Sequence, residues 1–254
     1  MVVENEFPIL EYSTDSNAVI DPKTAGKVFP SLCIVTFFRE ILDSFVHKYQ
    51  GEIIGTYFSE MREFHAYRVL YEGTEICAIQ AVVGSGSIAM MTDWLYGNGV
   101  EVLLCCGCCG VLADIPAGDV IIPVRALRDE GASYKYLPPA RYIETDEKPV
   151  RIFEQVLQEY RIPFLECTTW TTDGFYRETR DMVEHRIKQG CQAVEMECAT
   201  MAAIARFRGR IFGQLLYSGD ILVGTEEYDD RKWNTNSSVR ERIFRITLEA
   251  LIRF

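Results

Sequence analysis

Basic residues are scarce in this chain of 254 residues, where 26 Lys and Arg stand against 37 Asp and Glu for a formal net charge of -11. That balance excludes a nucleic-acid binder, which needs a basic surface to neutralise phosphates and release counterions. An anionic substrate must instead meet a local cluster of Arg or backbone N–H groups set against the overall field. Histidine is rarer still, with only His47, His65 and His185. No apolar run approaches the roughly 20 residues of a membrane-spanning helix, and no internal period suggests a repeat architecture. Neither G-x-x-x-x-G-K-[ST] nor a full G-x-G-x-x-G occurs, which argues against a nucleoside-triphosphate or dinucleotide site. The opening Met1-Val2-Val3-Glu4-Asn5-Glu6 has no basic n-region and no apolar h-region, so we expect no secretory leader, a cytoplasmic location and reduced thiols.

What is present is ordinary globular composition, 48% hydrophobic and 25% charged, with one oddity. Of nine cysteines, four fall in Cys105-Cys106-Gly107-Cys108-Cys109-Gly110. They alternate along an expected strand and turn rather than forming two separated pairs, so no metal site is expected and small buried hydrophobes are the simpler reading.

The chain reads as a single domain over residues 1–254, with a polar lead-in over 1–30. Short apolar runs predict strands at 32–37, 65–71, 75–83, 100–106, 119–124, 164–170, 192–196 and 211–217. Glu72-Gly73 joins two of them as a hairpin. Helical spacing predicts helices at 39–49, from Gly84-Ser85-Gly86-Ser87 to about 96, at 150–160, at 197–207 stopped by Gly209, and from the capping-box pattern Ser238-Val239-Arg240-Glu241 onward. Strands alternating with helices imply an α/β fold with a mostly parallel or mixed sheet flanked by helices. Ligands in such sheets sit at the carboxyl ends of strands.

Several of those ends carry unusual residues. Gly84-Ser85-Gly86, and Gly107 with Gly110, offer backbone N–H groups at a helix or turn start, suited to an anion or simply to tight turns. Glu195 and Glu197 share a face if the backbone is extended there, and point about 200° apart if it is helical. Only one of them is then expected to face a ligand, and the macrodipole alone also favours acids at a helix start. Asp220, after the strand at 211–217, reads either as a turn residue or as an acid. Phe175 and Tyr176, adjacent aromatics in a polar loop, suit stacking on a planar base or a plug under the loop.

Taken in order, six segments resemble the nucleoside phosphorylase family that includes the bacterial hexameric purine phosphorylases and the uridine phosphorylases. They are Gly107-Cys108-Cys109-Gly110-Val111-Leu112, Ala117-Gly118-Asp119-Val120-Ile121-Ile122-Pro123, the stretch at 128–138, Asp173-Gly174-Phe175-Tyr176-Arg177-Glu178-Thr179, Val194-Glu195-Met196-Glu197 and Ser218-Gly219-Asp220. The resemblance spans roughly residues 32–222. It implies a three-layer α/β fold, a twisted mixed sheet partly closed into a barrel and flanked by helices. It further implies homodimers that stack into a homohexamer with shared active sites, with inorganic phosphate as co-substrate and no cofactor.

Carried over by position, Met196 and Glu197, with Glu195 beside them, fall at the ribose. Phe175, and less directly Tyr176, fall at the base, and Asp220 matches the acid that protonates a purine at N7. The phosphate site departs from the family pattern. Arg39 and a partner-donated Arg62 are its candidate arginines, Gly84 its candidate backbone donor, and Cys108 falls where the family has Ser or Thr. Cys105 occupies the place of a third arginine, and a neutral thiol cannot supply a charge-assisted bidentate grip. Thr179 and Asp181 stand where uridine phosphorylases use Gln and Arg, and those enzymes generally lack the acid at Asp220, so the resemblance leans toward purine. A nucleosidase of the same fold, which attacks with water, and a non-catalytic nucleoside-binding member are the rival readings.

Overall fold

A computed structural model describes residues 1–24, 26, 28–224 and 228–254. Ahead of the main sheet, β1 (Val2–Val3) and β2 (Tyr12–Ser13) pair with each other. The main sheet is built from β3 (Leu32–Thr36), β4 (Glu52–Phe58), β5 (Glu63–Tyr71), β6 (Thr74–Gln80), β7 (Val102–Val111), β8 (Val120–Asp129), β9 (Tyr142–Glu144), β10 (Phe164–Thr172), β11 (Cys191–Glu195) and β12 (Ile211–Ile221). The helices are α1 (Arg39–Lys48), α2 (Ser85–Gly97), α3 (Glu147–Glu159), α4 (Arg180–Lys188), α5 (Cys198–Arg208) and α6 (Ser237–Leu251).

The strand order is β11-β10-β8-β12-β7-β3-β6-β5-β4, and β11 pairs again with β7 through Ala193 opposite Val111 and Val194 opposite Gly110. That last pairing closes five strands into a barrel and leaves β3, β6, β5 and β4 as an open extension. Parallel pairs (β3 with β6 and β7, β8 with β10, β7 with β12) mix with antiparallel ones (β4 with β5, β5 with β6, β7 with β11). This is the three-layer, partly closed α/β architecture the resemblance implied.

Side-chain alternation along β3 shows how the layers form. Cys33 and Val35 join the core beneath α2 and α5, while Ile34 joins the core beneath α1, α3 and α6, all without exposed surface. Each such aliphatic side chain contributes about 1.5–3 kcal/mol by leaving water. The barrel lumen has its own small core, with Cys109 and Val111 of β7, Ile121 of β8, Cys167 of β10, Ala193 of β11 and Leu216 of β12.

The structure departs from the sequence reading in several places. The strand expected at 100–106 runs on to Val111, so Gly107 and Gly110 lie in extended backbone rather than a turn. Both glycines are needed for close approach: a Cβ on Gly107 would lie 2.8 Å from the Phe37 ring, and one on Gly110 2.7 Å from Leu222. Similarly, β8 continues to Asp129 and β12 to Ile221, because pairing around the barrel extends both. Strands β4 and β9 and helix α4 were not expected. Helix α6 is capped by Asn236, whose side chain accepts from the Val239 N–H, two residues before the capping box read at Ser238. The cysteines are all free thiols, eight buried and Cys108 half-buried. Among the described residues, no group of three His, Cys, Asp or Glu is placed to hold a metal ion, and no helix is long and apolar enough to cross a membrane.

Candidate active site

The carboxyl ends of β7, β11 and β12 converge on a cleft of about 490 Å³. It brings together Glu195, Met196 and Glu197 from the β11–α5 junction, Asp220 from β12, Cys108 from β7 and Phe175 from the turn after β10.

At the β11–α5 junction the strand ends at Glu195 and the helix begins at Cys198, with Glu197 as its N-cap residue. The two carboxylates therefore face different environments. Glu195 is turned into the protein, where it accepts the Glu197 N–H at 2.7 Å, the Cys198 N–H at 2.6 Å and the Thr171 hydroxyl at 2.5 Å. It thereby satisfies donors that the first turn of α5 would otherwise leave unpaired. Burial pushes its pKa up, and those donors oppose the shift. Among the described residues, Glu197 accepts only backbone N–H groups, from Gly84 at 2.6 Å and Met196 at 3.3 Å. Burial, then the neighbouring Glu195 charge, push its pKa up to about 8. Each Glu197 oxygen retains acceptor capacity beyond its single backbone partner.

Gly84 enters through this contact. Its φ of 91° lies in the region that favours glycine, and it turns the chain into α2 so that its N–H reaches Glu197. That N–H, expected from sequence to serve an anion, is thus committed to a carboxylate.

Asp220 is half-buried and accepts the Tyr228 hydroxyl at 2.9 Å. Burial raises its pKa, against the lowering effect of that hydrogen bond. Burial also pushes the Cys108 thiol up to about 12, with the Asp220 charge adding to the effect, so it is a neutral thiol at physiological pH. Phe175 is about half exposed at the rim. Tyr176, packed edge-on against it, is 93% exposed and lies outside the lining.

Neither candidate phosphate arginine lines the cleft. Arg39 opens α1, exposed, and pairs with Asp43 at 3.6 Å. Arg62 stacks on Phe64 and hydrogen-bonds the side chain of Gln80, which does line the cleft. Cys105 is fully buried between the sheet and its helices. Among the described residues, no Arg, Lys or His lines the cleft.

Four polar or aromatic lining residues were not singled out by sequence reasoning: Phe37, Gln80, Glu178 and Trp233. Glu178 belongs to the 173–179 segment that carries the resemblance, with no role assigned to it there; burial, then Asp220, push its pKa up to about 7. Trp233 opens a single 3-10 turn, Trp233–Thr235, too short for any periodicity to mark it. A Cβ on Gly219 would lie 3.0 Å from the Trp233 Cβ, so that glycine admits the Trp over the cleft.

An α/β barrel with an open extension and a carboxylate-rich cleft at its strand ends defines the class. The chain belongs to the phosphorylase superfamily, whose family model matches residues 35–253. It is 29% identical over 203 residues to the guanosine phosphorylase of Halorubrum lacusprofundi, covering 76% of this chain and 82% of that protein. Against the DeoD-type purine nucleoside phosphorylase of Brevibacillus brevis it is 26% identical over 193 residues, covering 72% and 80%. The fold is shared with the purine nucleoside phosphorylase of Toxoplasma gondii (TM-score 0.78, 18% identity, 94% and 98% covered). It is also shared with a uridine phosphorylase of Vibrio fischeri (TM-score 0.75, 21% identity, 89% and 93% covered).

Proposed function

We propose that the chain cleaves the N-glycosidic bond of a purine nucleoside, with inorganic phosphate as acceptor and free base and pentose 1-phosphate as products. The observation that carries this reading is the placement of Glu197 and Met196 in one cleft with Phe175 and a half-buried Asp220. In the proposed reaction Glu197 accepts from the sugar hydroxyls, Met196 packs against the sugar and Phe175 lies on the base. As the C1′–N9 bond loosens toward an oxocarbenium ion, its electron pair moves into the base. Asp220 donates a proton to N7, a role that burial favours by raising its pKa. A phosphate oxygen then bonds to C1′. No cofactor is needed, since positioning and charge stabilisation carry the chemistry. The names of the curated relatives support phosphate as the acceptor.

One observation favours a second reading, in which water is the acceptor: no cation among the described residues lines the cleft. We propose that a homo-oligomer, dimer or hexamer, mitigates this by bringing a partner's arginine toward the cleft, the residue corresponding to Arg62. Nine free thiols suit a cytoplasmic setting.

The test is to incubate the protein with inosine, adenosine, uridine and methylthioadenosine, with and without phosphate, and to identify the sugar product. Sugar 1-phosphate formed only with phosphate is the expected result. Free ribose in both conditions selects hydrolysis, and no turnover of any nucleoside overturns both readings.

A further inference from the structure

We propose that a second pocket, walled by Arg128, Arg141 and Arg186, binds a phosphorylated sugar. The inference does not rest on the reaction proposed for the cleft, with which this pocket shares no lining residue.

The pocket lies where the end of β8 meets β9 and α4, and encloses about 390 Å³, a volume within the range of small-molecule sites. Its lining carries the three guanidiniums against a single carboxylate, that of Asp129. In a chain of net charge -11, this local surplus of positive charge is what an anion needs against the overall field.

The arginines are incompletely partnered. Arg128 is buried, and among the described residues its guanidinium meets only neutral acceptors. Its Nε donates to the Ser133 hydroxyl at 2.8 Å, Nη1 to the Pro138 carbonyl at 2.9 Å and Nη2 to the Leu137 carbonyl at 3.4 Å. Each Nη therefore keeps a second N–H. Glu130 acts on Arg128 electrostatically but makes no ion pair with it; its Oε2 accepts from the Ala132 and Ser133 N–H groups and the Thr200 hydroxyl. A buried charge is ordinarily paired, so Arg128 lacks a counter-ion.

Arg141 is exposed, and among the described residues nothing engages its guanidinium. Antiparallel pairing of β8 with β9 sets it opposite Arg128, whose N–H donates to the Arg141 carbonyl at 2.9 Å. Like charges facing across a strand pair repel, and an anion shared between them turns that repulsion into attraction. Arg186 is buried and anchored, with Nη2 on Asp129 at 2.6 Å and Nη1 on the Gln189 side chain at 3.0 Å. Its Nε is buried without an acceptor.

Asp129 decides what the anion is attached to. Its Oδ2 accepts from Arg186 and from the Trp170 indole N–H at 2.9 Å, and its Oδ1 takes no donor among the described residues. A free carboxylate oxygen beside the arginines repels a bare anion but accepts from a hydroxyl. Forked donors for the phosphate and an acceptor for a neighbouring hydroxyl together describe a sugar phosphate. A phosphate monoester carries about -1.5 to -2 charge at pH 7, which matches the surplus of guanidiniums over carboxylate.

The test is calorimetric titration of ribose 5-phosphate, AMP, inorganic phosphate and ribose into the wild-type protein, Arg141→Ala and Glu197→Gln at low ionic strength. Ribose 5-phosphate is expected to bind about tenfold tighter or better than inorganic phosphate or ribose, and Arg141→Ala to weaken it by about tenfold or more. The ligand-free melting temperature of Arg141→Ala should not fall, because the side chain is exposed. Glu197→Gln alters the cleft alone and is expected to leave this affinity within about twofold. AMP binding more tightly than ribose 5-phosphate, with the same dependence on Arg141, identifies a nucleotide as the source of the sugar phosphate. The reverse order identifies the free sugar phosphate, and either result supports the site. No binding, binding that Arg141→Ala leaves unchanged, or inorganic phosphate or ribose matching ribose 5-phosphate overturns the proposal. A loss in Glu197→Gln with none in Arg141→Ala puts the ligand in the cleft and overturns it as well.

Discussion

Glu195 and Glu197 stand two residues apart, yet the structure gives them opposite work. Glu195 spends its acceptor capacity on the start of α5 and on Thr171, so replacing it removes the partner of several buried donors. Glu195→Ala is therefore expected to lower stability by about 2 kcal/mol or more. Glu197→Gln should leave stability at neutral pH little changed, since a carboxyl raised to about 8 is already largely neutral there, and should lower kcat/KM about 100-fold. Thermal melts and steady-state kinetics on the two variants separate these effects; a stability loss in Glu197→Gln equal to that of Glu195→Ala would contradict the division of labour. The pair also marks how far local sequence reaches. That one carboxylate alone would face a ligand followed from the strand-to-helix change nearby. Which one did not follow, because it depends on whether the strand ends at Glu195 or a residue later, and pairing of β11 with β10 and β7 decides that.

At the scale of elements, β7 carries the consequence of barrel closure. Its second half holds Cys108, Cys109 and Gly110 against β11 and β12, and so sets one wall of the cleft. A Cβ at position 110 would lie 2.7 Å from Leu222, 2.9 Å from Val194 and 3.4 Å from an Asp220 oxygen. Gly110→Ala is accordingly expected to cost about 1–3 kcal/mol of stability and to reduce turnover by displacing Asp220. A variant with unchanged melting temperature and turnover would show that the wall yields freely. Two glycines in one apolar run read locally as a strand end, and only the long-range pairing shows otherwise. The same limit explains the unexpected β4. Gly55 interrupts its side-chain pattern, and glycine is needed there because a Cβ would lie 2.6 Å from the Phe29 ring. By contrast β3, the β5–β6 hairpin, α5 and the parallel core of β7 and β12 were legible, because each buries a periodic apolar set. Among site residues, Met196, Glu197, Phe175 and Asp220 lay at strand ends flagged by the resemblance. Glu178 and Trp233 did not stand out, because only the folded chain brings them over the cleft.

For the molecule as a whole, the cleft carboxyls make stability depend on pH in a direction opposite to the common one. Burial raises the pKa of Glu178 to about 7 and of Glu197 to about 8, and it raises those of Glu195 and Asp220 as well. In the unfolded chain such groups ionise near pH 4. Between about pH 4 and pH 8 the folded chain therefore binds more protons than the unfolded one, and stability must fall as pH rises through that window. The contribution of these groups is fully present below the unfolded values and is lost by about pH 8. Buried thiols act in the same sense at higher pH, since those of Cys106, Cys108 and Cys167 are pushed up to about 12. The carboxylates held low, Asp15, Asp181 and Glu159, are on the surface and act in the opposite sense only in the acid range. Melting temperatures of the ligand-free protein are thus expected to decline from pH 5 to pH 8 by an amount corresponding to a few kcal/mol. Glu197→Gln should flatten the decline, because it removes a group that must give up its proton. A wild-type profile that rises over this range, or one that Glu197→Gln leaves unchanged, would mean that the cleft carboxyls are already ionised in the folded chain. Asp220 would then have no proton to give a purine at neutral pH.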